Sequence, residues 1–296
     1  MSQIRLMPYS TSFDIGNAVA LVRASELSYE EPGLIEAEAI REWGYDRFHF
    51  VDAGGTQVFL AANDDCVLVC FRGTEVREIE DWITDTRMEL VAGPMGGKVH
   101  AGFYDALSKV WQVVDEILRR MDPRGSKAVF LTGHSLGAAL ATLAAARWHD
   151  IGRRVKAVYT FGQPRTGDHS FARNFNFAFM PATFRIVNQN DLVTRIPPRS
   201  FGYSHLGTFK YITSDGQLAS DIQWWQRFLD SWNVAMDNVF QWAEDGVGDH
   251  RICQYRSFLE NQIRPTETVD LRANLRRFLR TANRLTGITI RPRRVA

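Results

Sequence analysis

Gly133-His134-Ser135-Leu136-Gly137 sets a serine between two glycines in a Gly-x-Ser-x-Gly pattern. Its flanks decide what the pattern means. Lys127–Thr132 is a strand-length run of Val, Phe and Leu, and Ala138–Ala146 is rich in Ala and Leu, strong helix formers. A strand entering a helix through so short a turn forces the serine into a strained backbone conformation with its hydroxyl exposed. The glycines are needed because a Cβ there would meet the neighbouring strand or helix. A flexible glycine loop would carry polar flanks; these are apolar, so the pentapeptide reads as a nucleophile elbow. A serine hydroxyl is a weak nucleophile near neutral pH. It needs a histidine to take its proton and a carboxylate to orient that histidine.

On a fold of this class the partners follow the serine in the order acid, then histidine. Ala182–Val187 reads as a strand leading into Asn188-Gln189-Asn190-Asp191, in a segment that ends at Pro197-Pro198. Asp191 therefore falls just past a strand's C-terminal end, where the sites of open α/β sheets gather. Two histidines follow it: His205, directly before a Phe209–Thr213 strand, and His250, before a helix-like stretch containing Tyr255 and Phe258. Both suit a loop above a sheet, and the residues alone do not choose. His134, inside the elbow, is too tied to the turn to act as the base and stays a candidate substrate contact. The oxyanion formed when such a serine attacks a carbonyl needs preorganised donors. The backbone N–H of Leu136 points there by construction of the elbow, and the loop Arg72-Gly73-Thr74, after an early strand, fits a second donor.

These residues need a scaffold. Asn17–Tyr29 spaces Ala18, Leu21 and Val22 as a helix face. Arg47–Val51 and Gln57–Ala62 read as strands joined through Ala53-Gly54-Gly55, a hairpin signal. Asp65–Phe71 is apolar almost throughout, which suits a central strand covered on both faces. Gly102–Arg120 carries Phe103, Leu107, Val110, Trp111, Val114 and Leu118 on one helical stripe. Val155–Phe161 and Ala182–Val187 read as interior strands separated by a helix-length Asp168–Phe175. Strands alternating with helices predict an α/β fold, a mostly parallel central sheet with helices on both faces. No linker or internal repeat divides residues 1–296, so one domain is expected.

The bulk numbers exclude several classes. With 45% hydrophobic residues the chain has ample core material, and a formal charge of +1 argues against a chain built wholesale for nucleic acid. No stretch approaches about 18 uninterrupted apolar residues, so no transmembrane helix is expected. The N-terminal stretch lacks a secretory signal's compact apolar core and cleavage site, which predicts a cytoplasmic protein, although a secreted one without its leader would look the same. Three cysteines do not suggest a disulfide framework, and Cys66 and Cys70 share one strand face as small buried hydrophobes. No zinc-ligand spacing appears.

GHSLGAALATL, together with VCFRGTE, DWITD, VHAGFYDAL, TFGQPRTGD, FRIVNQNDLVTRIPP and DHRICQY, resembles the class 3 lipase family, the filamentous-fungal-type triacylglycerol lipases. The matches occur in the family's order over roughly Ala53 to Leu259. The resemblance implies an α/β-hydrolase fold and carboxylester hydrolysis, on acylglycerol-type substrates, through an acyl-enzyme. Carried over by position, Ser135 is the nucleophile, Asp191 the acid and His250 the base, with His205 a structural histidine. Thr74 matches the residue whose N–H and hydroxyl complete the oxyanion hole with Leu136. The resemblance implies neither a metal nor an organic cofactor. Phospholipid, feruloyl-type or polyester substrates would use the same triad, and a non-catalytic interaction scaffold is the alternative of another class.

Family members cover the site with a short amphipathic helix after the oxyanion residue. Residues 75–89 occupy that position, offering Trp82 and Ile83 as candidate substrate contacts. The acids Glu75, Glu78, Glu80, Asp81 and Asp85 predict a lid that exposes little apolar surface, and hence weak interfacial activation. Residues 217–244 depart from the family's compact pattern. Trp225, Phe228, Leu229, Trp232, Met236, Val239 and Phe240 recur at helical spacing, a predicted helical insertion before the catalytic histidine. Trp225, Phe228 and Trp232 are candidates for the wall of the acyl pocket. Residues 264–296 hold nine arginines against Glu267 and Asp270, a predicted basic helix suited to a solvated face or to contact with a lipid surface.

Overall fold

Side-chain caps and turn chemistry place the first elements. The structure, a computed structural model, describes residues 6–74, 88–189, 191–220 and 248–263. Helix α1 (Ile15–Leu27) starts at Asp14, whose carboxylate accepts the N–H of Asn17 at 2.8 Å. Helix α2 (Pro32–Arg41) opens on a proline and was not among the expected elements; it buries only Ile35 and Ala39, too sparse a stripe to read from periodicity. Strands β1 (Arg47–Ala53) and β2 (Thr56–Ala62) form the expected hairpin, with Ala53 opposite Thr56 and both turn glycines at positive φ. Strand β3 (Cys66–Phe71) is buried at every position.

The chain then gives β4 (Leu90–Ala92), β5 (Lys98–His100), α3 (Ala101–Met121), β6 (Ala128–His134), α4 (Leu136–Asp150), β7 (Ala157–Phe161), β8 (Gly167–Asp168), α5 (His169–Phe179) and β9 (Thr183–Asn188). After them come β10 (Tyr203–Ser204), β11 (Thr208–Ile212), β12 (Leu218–Ala219) and α6 (Ile252–Ile263). Eight strands form one sheet in the order β1-β2-β3-β6-β7-β9-β11-β12. The pairs from β3 to β11 are parallel, and the two edges are antiparallel.

The order explains how the two faces are covered. From β3 through β6 and β7 to β9 each crossover advances in one direction, and right-handed crossovers then place α3, α4 and α5 on the same face. Phe103, Leu107, Val110, Leu140, Phe171 and Phe175 accordingly share one core with Val67, Val69 and Leu131 of the sheet. The other face must be closed by the chain's two ends. Leu21, Val22, Ile35, Tyr255 and Leu259, from α1, α2 and α6, pack there against Phe59, Leu68, Phe130 and Tyr159. Cys66 and Cys70 lie in this second core, and all three cysteines are free.

Three features differ from expectation. Residues 217–220 do not begin a helix: Leu218–Ala219 is a strand, returned onto β11 by a turn in which Thr213 Oγ1 receives the N–H of Gln217. A four-stranded antiparallel sheet, β10-β8-β5-β4, was not foreseen, because its strands are only two or three residues long and carry no readable alternation. Met88 and Glu89 are not helical and lead into β4. The rest of the lid candidate (75–87), the rest of the insertion (221–244) and the tail (264–296) lie outside the described residues. Among those described, no helix is long and apolar enough to cross a membrane.

Candidate active site

Strand β6 ends at His134 and helix α4 begins at Leu136, so Ser135 alone makes the turn, at φ 56° and ψ −126°. That region strains any residue with a side chain. Two close approaches hold it. A Cβ on Gly133 would overlap the backbone of Gly137, and one on Gly137 would overlap the carbonyl of Phe71 at the end of β3. The Ser135 N–H donates to the carbonyl of Phe161 at 3.0 Å, which fixes the elbow to the end of β7. Leu136 opens α4, so its N–H has no acceptor within the helix. Gly73 packs against the same turn: a Cβ there would come 3.3 Å from Ser135 Cβ. Thr74 is thereby one residue from the contact with Ser135, half-buried.

Asp191 follows β9 and is fully buried. Its carboxylate meets Nδ1 of His250, with Oδ2 at 2.8 Å and Oδ1 at 3.0 Å. The N–H of Val193 donates to Oδ1 at 2.9 Å, and the hydroxyl of Tyr255, on α6, donates to Oδ2 at 2.5 Å. Tyr255 in turn accepts the N–H of Asn188 at 3.0 Å. Burial, followed by the neighbouring Asp191 charge, pushes the Tyr255 phenol well above its usual range, so it remains a donor. Three donors around one buried carboxylate leave it firmly held. Nε2 of His250 is buried and, among the described residues, has no hydrogen-bond partner; it makes no hydrogen bond to the Ser135 hydroxyl.

The imidazole on Asp191 is therefore that of His250. His205 lies elsewhere, between β10 and β11, where burial and then Arg185, Arg165 and Arg199 hold its pKa well below the usual histidine range. His134 is buried with both ring nitrogens engaged, Nδ1 with the Tyr29 hydroxyl at 2.8 Å and Nε2 with the carbonyl of His250 at 2.6 Å. Its ring also lies against that of His250, centroids 4.4 Å apart. Gly162, directly after β7, has φ +61°, and a Cβ there would come 2.8 Å from the His250 ring. Trp82, Ile83, Trp225, Phe228 and Trp232 lie outside the described residues.

Sequence reasoning passed over Tyr29, Gly162 and the hydrogen bond of Tyr255. Tyr255 carried the one available signal, a tyrosine on the helix that follows His250. Tyr29 is 105 positions from His134, and nothing local marks it. The arrangement thus holds a strained serine directly after His134, whose ring packs on that of His250, and an imidazole at 250 oriented through Nδ1 by a buried carboxylate.

A family model described as Lipase (class 3) matches residues 68–201. The chain is 35% identical over 169 residues to a lipase of Rhizomucor miehei, covering 54% of this chain and 46% of that protein. It is 29% identical over 248 residues to triacylglycerol lipase OBL1 of Arabidopsis thaliana, covering 63% of this chain and 47% of that one. The chain thus spans about half the length of the curated relatives it matches. Among solved structures it resembles a triacylglycerol lipase whose catalytic centre is described as a serine protease triad, at TM-score 0.57 and 28% identity, over 69% of this chain and 82% of that one.

Proposed function

We propose that the chain, which matches the class 3 lipase family over residues 68–201, hydrolyses carboxylic esters of the acylglycerol type through an acyl-enzyme on Ser135. The observation that carries the proposal is the buried Asp191–His250 pair, 2.8 Å from Oδ2 to Nδ1, together with a serine forced to φ 56° at the elbow. As the Ser135 hydroxyl attacks the ester carbonyl, His250 Nε2 takes its proton, and Asp191 stabilises the imidazolium that forms. The N–H of Leu136, with the N–H and hydroxyl of Thr74, receives the oxyanion; each well-placed donor is worth about 3–4 kcal/mol in the transition state. Collapse of the tetrahedral species expels the alcohol, which takes the proton from His250. A water molecule then attacks the acyl-enzyme, giving its proton to His250, and collapse releases the carboxylic acid and Ser135.

The named activities of the relatives support an acylglycerol substrate. Ser135→Ala should abolish turnover of p-nitrophenyl butyrate while leaving the circular dichroism spectrum intact, and a fluorophosphonate should label the wild type but not the variant. Retained turnover in Ser135→Ala would exclude this mechanism. An acyl series from acetate to palmitate, presented on glycerol and on phospholipid, then separates lipase from phospholipase.

A further inference from the structure

His134 occupies the position next to Ser135, yet both of its ring nitrogens are taken up by hydrogen bonds within the protein. The carbonyl of His250 only accepts, so His134 Nε2 must carry the proton in the 2.6 Å bond between them. In the neutral ring Nδ1 is then the acceptor, and the Tyr29 hydroxyl donates to it at 2.8 Å. Burial is the chief cause that holds the His134 pKa well below the usual range, with the neighbouring His250 second. The ring is therefore neutral, and the tautomer is settled by its partners. A charged ring would stand 4.4 Å, centroid to centroid, from the imidazolium that forms on His250.

This short string of groups runs from the loop at Gly73 through the elbow to His250. Tyr29 Oη lies against Gly73, where a Cβ would overlap it, so it abuts the loop that carries Thr74. The Arg72 guanidinium stands over the Tyr29 ring, 5.4 Å from its centroid. His134 is continuous with the elbow, grips the backbone of His250, and meets the Tyr255 ring edge-on at 6.1 Å. We propose that Tyr29 and His134 are positioning residues that lock the oxyanion loop, the nucleophile turn and the His250 backbone into one register. The assignment rests on Ser135 and His250 acting as nucleophile and base. The residue before His250 is held as well: the carbonyl of Asp249 accepts from Asn188 Nδ2 at 2.9 Å. Removing the His134 bond frees the His250 backbone, and a displacement of about 1 Å at a reacting group costs on the order of a hundredfold in rate.

Three variants test this in p-nitrophenyl butyrate hydrolysis, each with a thermal melt to correct for folded protein. His134→Phe keeps a ring against His250 but loses both hydrogen bonds. His134→Gln returns an amide N–H at the place of Nε2. Tyr29→Phe removes one hydroxyl at constant shape. His134→Phe should lower kcat roughly 10–100-fold with KM within about twofold. His134→Gln should recover most of that loss, and Tyr29→Phe should lower kcat about three- to tenfold, through a net hydrogen bond of about 1 kcal/mol. Fluorophosphonate labelling of Ser135 should slow in parallel. The assignment is overturned if His134→Phe and Tyr29→Phe keep kcat within twofold of the wild type, or if the loss follows the folded fraction and His134→Gln recovers nothing. Should His134→Phe fail to fold, Tyr29→Phe decides alone. A wild-type protein that neither turns over ester nor takes up the fluorophosphonate refutes the hydrolase assignment instead.

Discussion

Gly162 follows the last residue of β7 at φ +61°, and a Cβ on it would come 2.8 Å from Cε1 and Nδ1 of His250 and 2.9 Å from Oδ2 of Asp191. Ordinary contact begins near 3.4 Å, so in Gly162→Ala the His250–Asp191 pair must withdraw by about 0.6 Å. Neither partner is the free end of a flexible chain: both are buried, and the carboxylate is held by Tyr255 and Val193. The displacement therefore falls on the imidazole proposed to take the Ser135 proton. At on the order of a hundredfold in rate per ångström of misplacement, kcat should fall about 10–30-fold, with KM little changed. The left-handed backbone adds about 1–2 kcal/mol of strain, or a Tm lower by roughly 2–8 °C for a domain of this size. Initial rates on p-nitrophenyl butyrate, burst titration of active sites and a thermal melt separate the two effects. A Gly162→Ala protein whose melt shifts as expected but whose kcat stays within twofold of the wild type would show that the His250 position does not limit the chemistry.

Tyr255→Phe removes the 2.5 Å donor to Asp191 and the acceptor of the Asn188 N–H, with no change of shape. The lost charge-assisted bond is worth about 1.5–3 kcal/mol, so Tm should drop by about 3–12 °C, and an unchanged melt would contradict the bond. Stability should also depend on pH through His134 and His205, whose pKa values burial pushes well below normal. In the unfolded chain both bind protons near pH 6.5, as the folded rings do not, so their contribution is complete above about pH 6.5 and declines below it. Each can remove up to about 1.4 kcal/mol per pH unit, and Tm should fall steadily from about pH 6.5 to 5, less steeply in His205→Gln. A Tm flat across that range would show that these rings are charged in the folded protein.

Local chemistry made much of this protein readable from its residues. The elbow declared itself because strand, turn and helix are consecutive, and the glycines at 133 and 137 answer to backbone contacts made within that unit and with the adjoining strand. Central strands such as Cys66–Phe71 were legible because burial on both faces leaves an unbroken apolar run. Asp191 was placed by the strand before it. Which histidine meets it was another matter: from the residues alone, His205 and His250 were equal, and only the resemblance to a family separated them.

The tertiary structure decided that pairing, because it depends on where α6 returns across the sheet, 59 positions after Asp191. It also decided everything that holds the pair in place: Tyr255 on the closing helix, Tyr29 beyond the opening one, and the space left by Gly162. Periodicity records which face of an element is buried. It carries no information about which two buried polar groups, brought from opposite ends of a chain, will share a hydrogen bond.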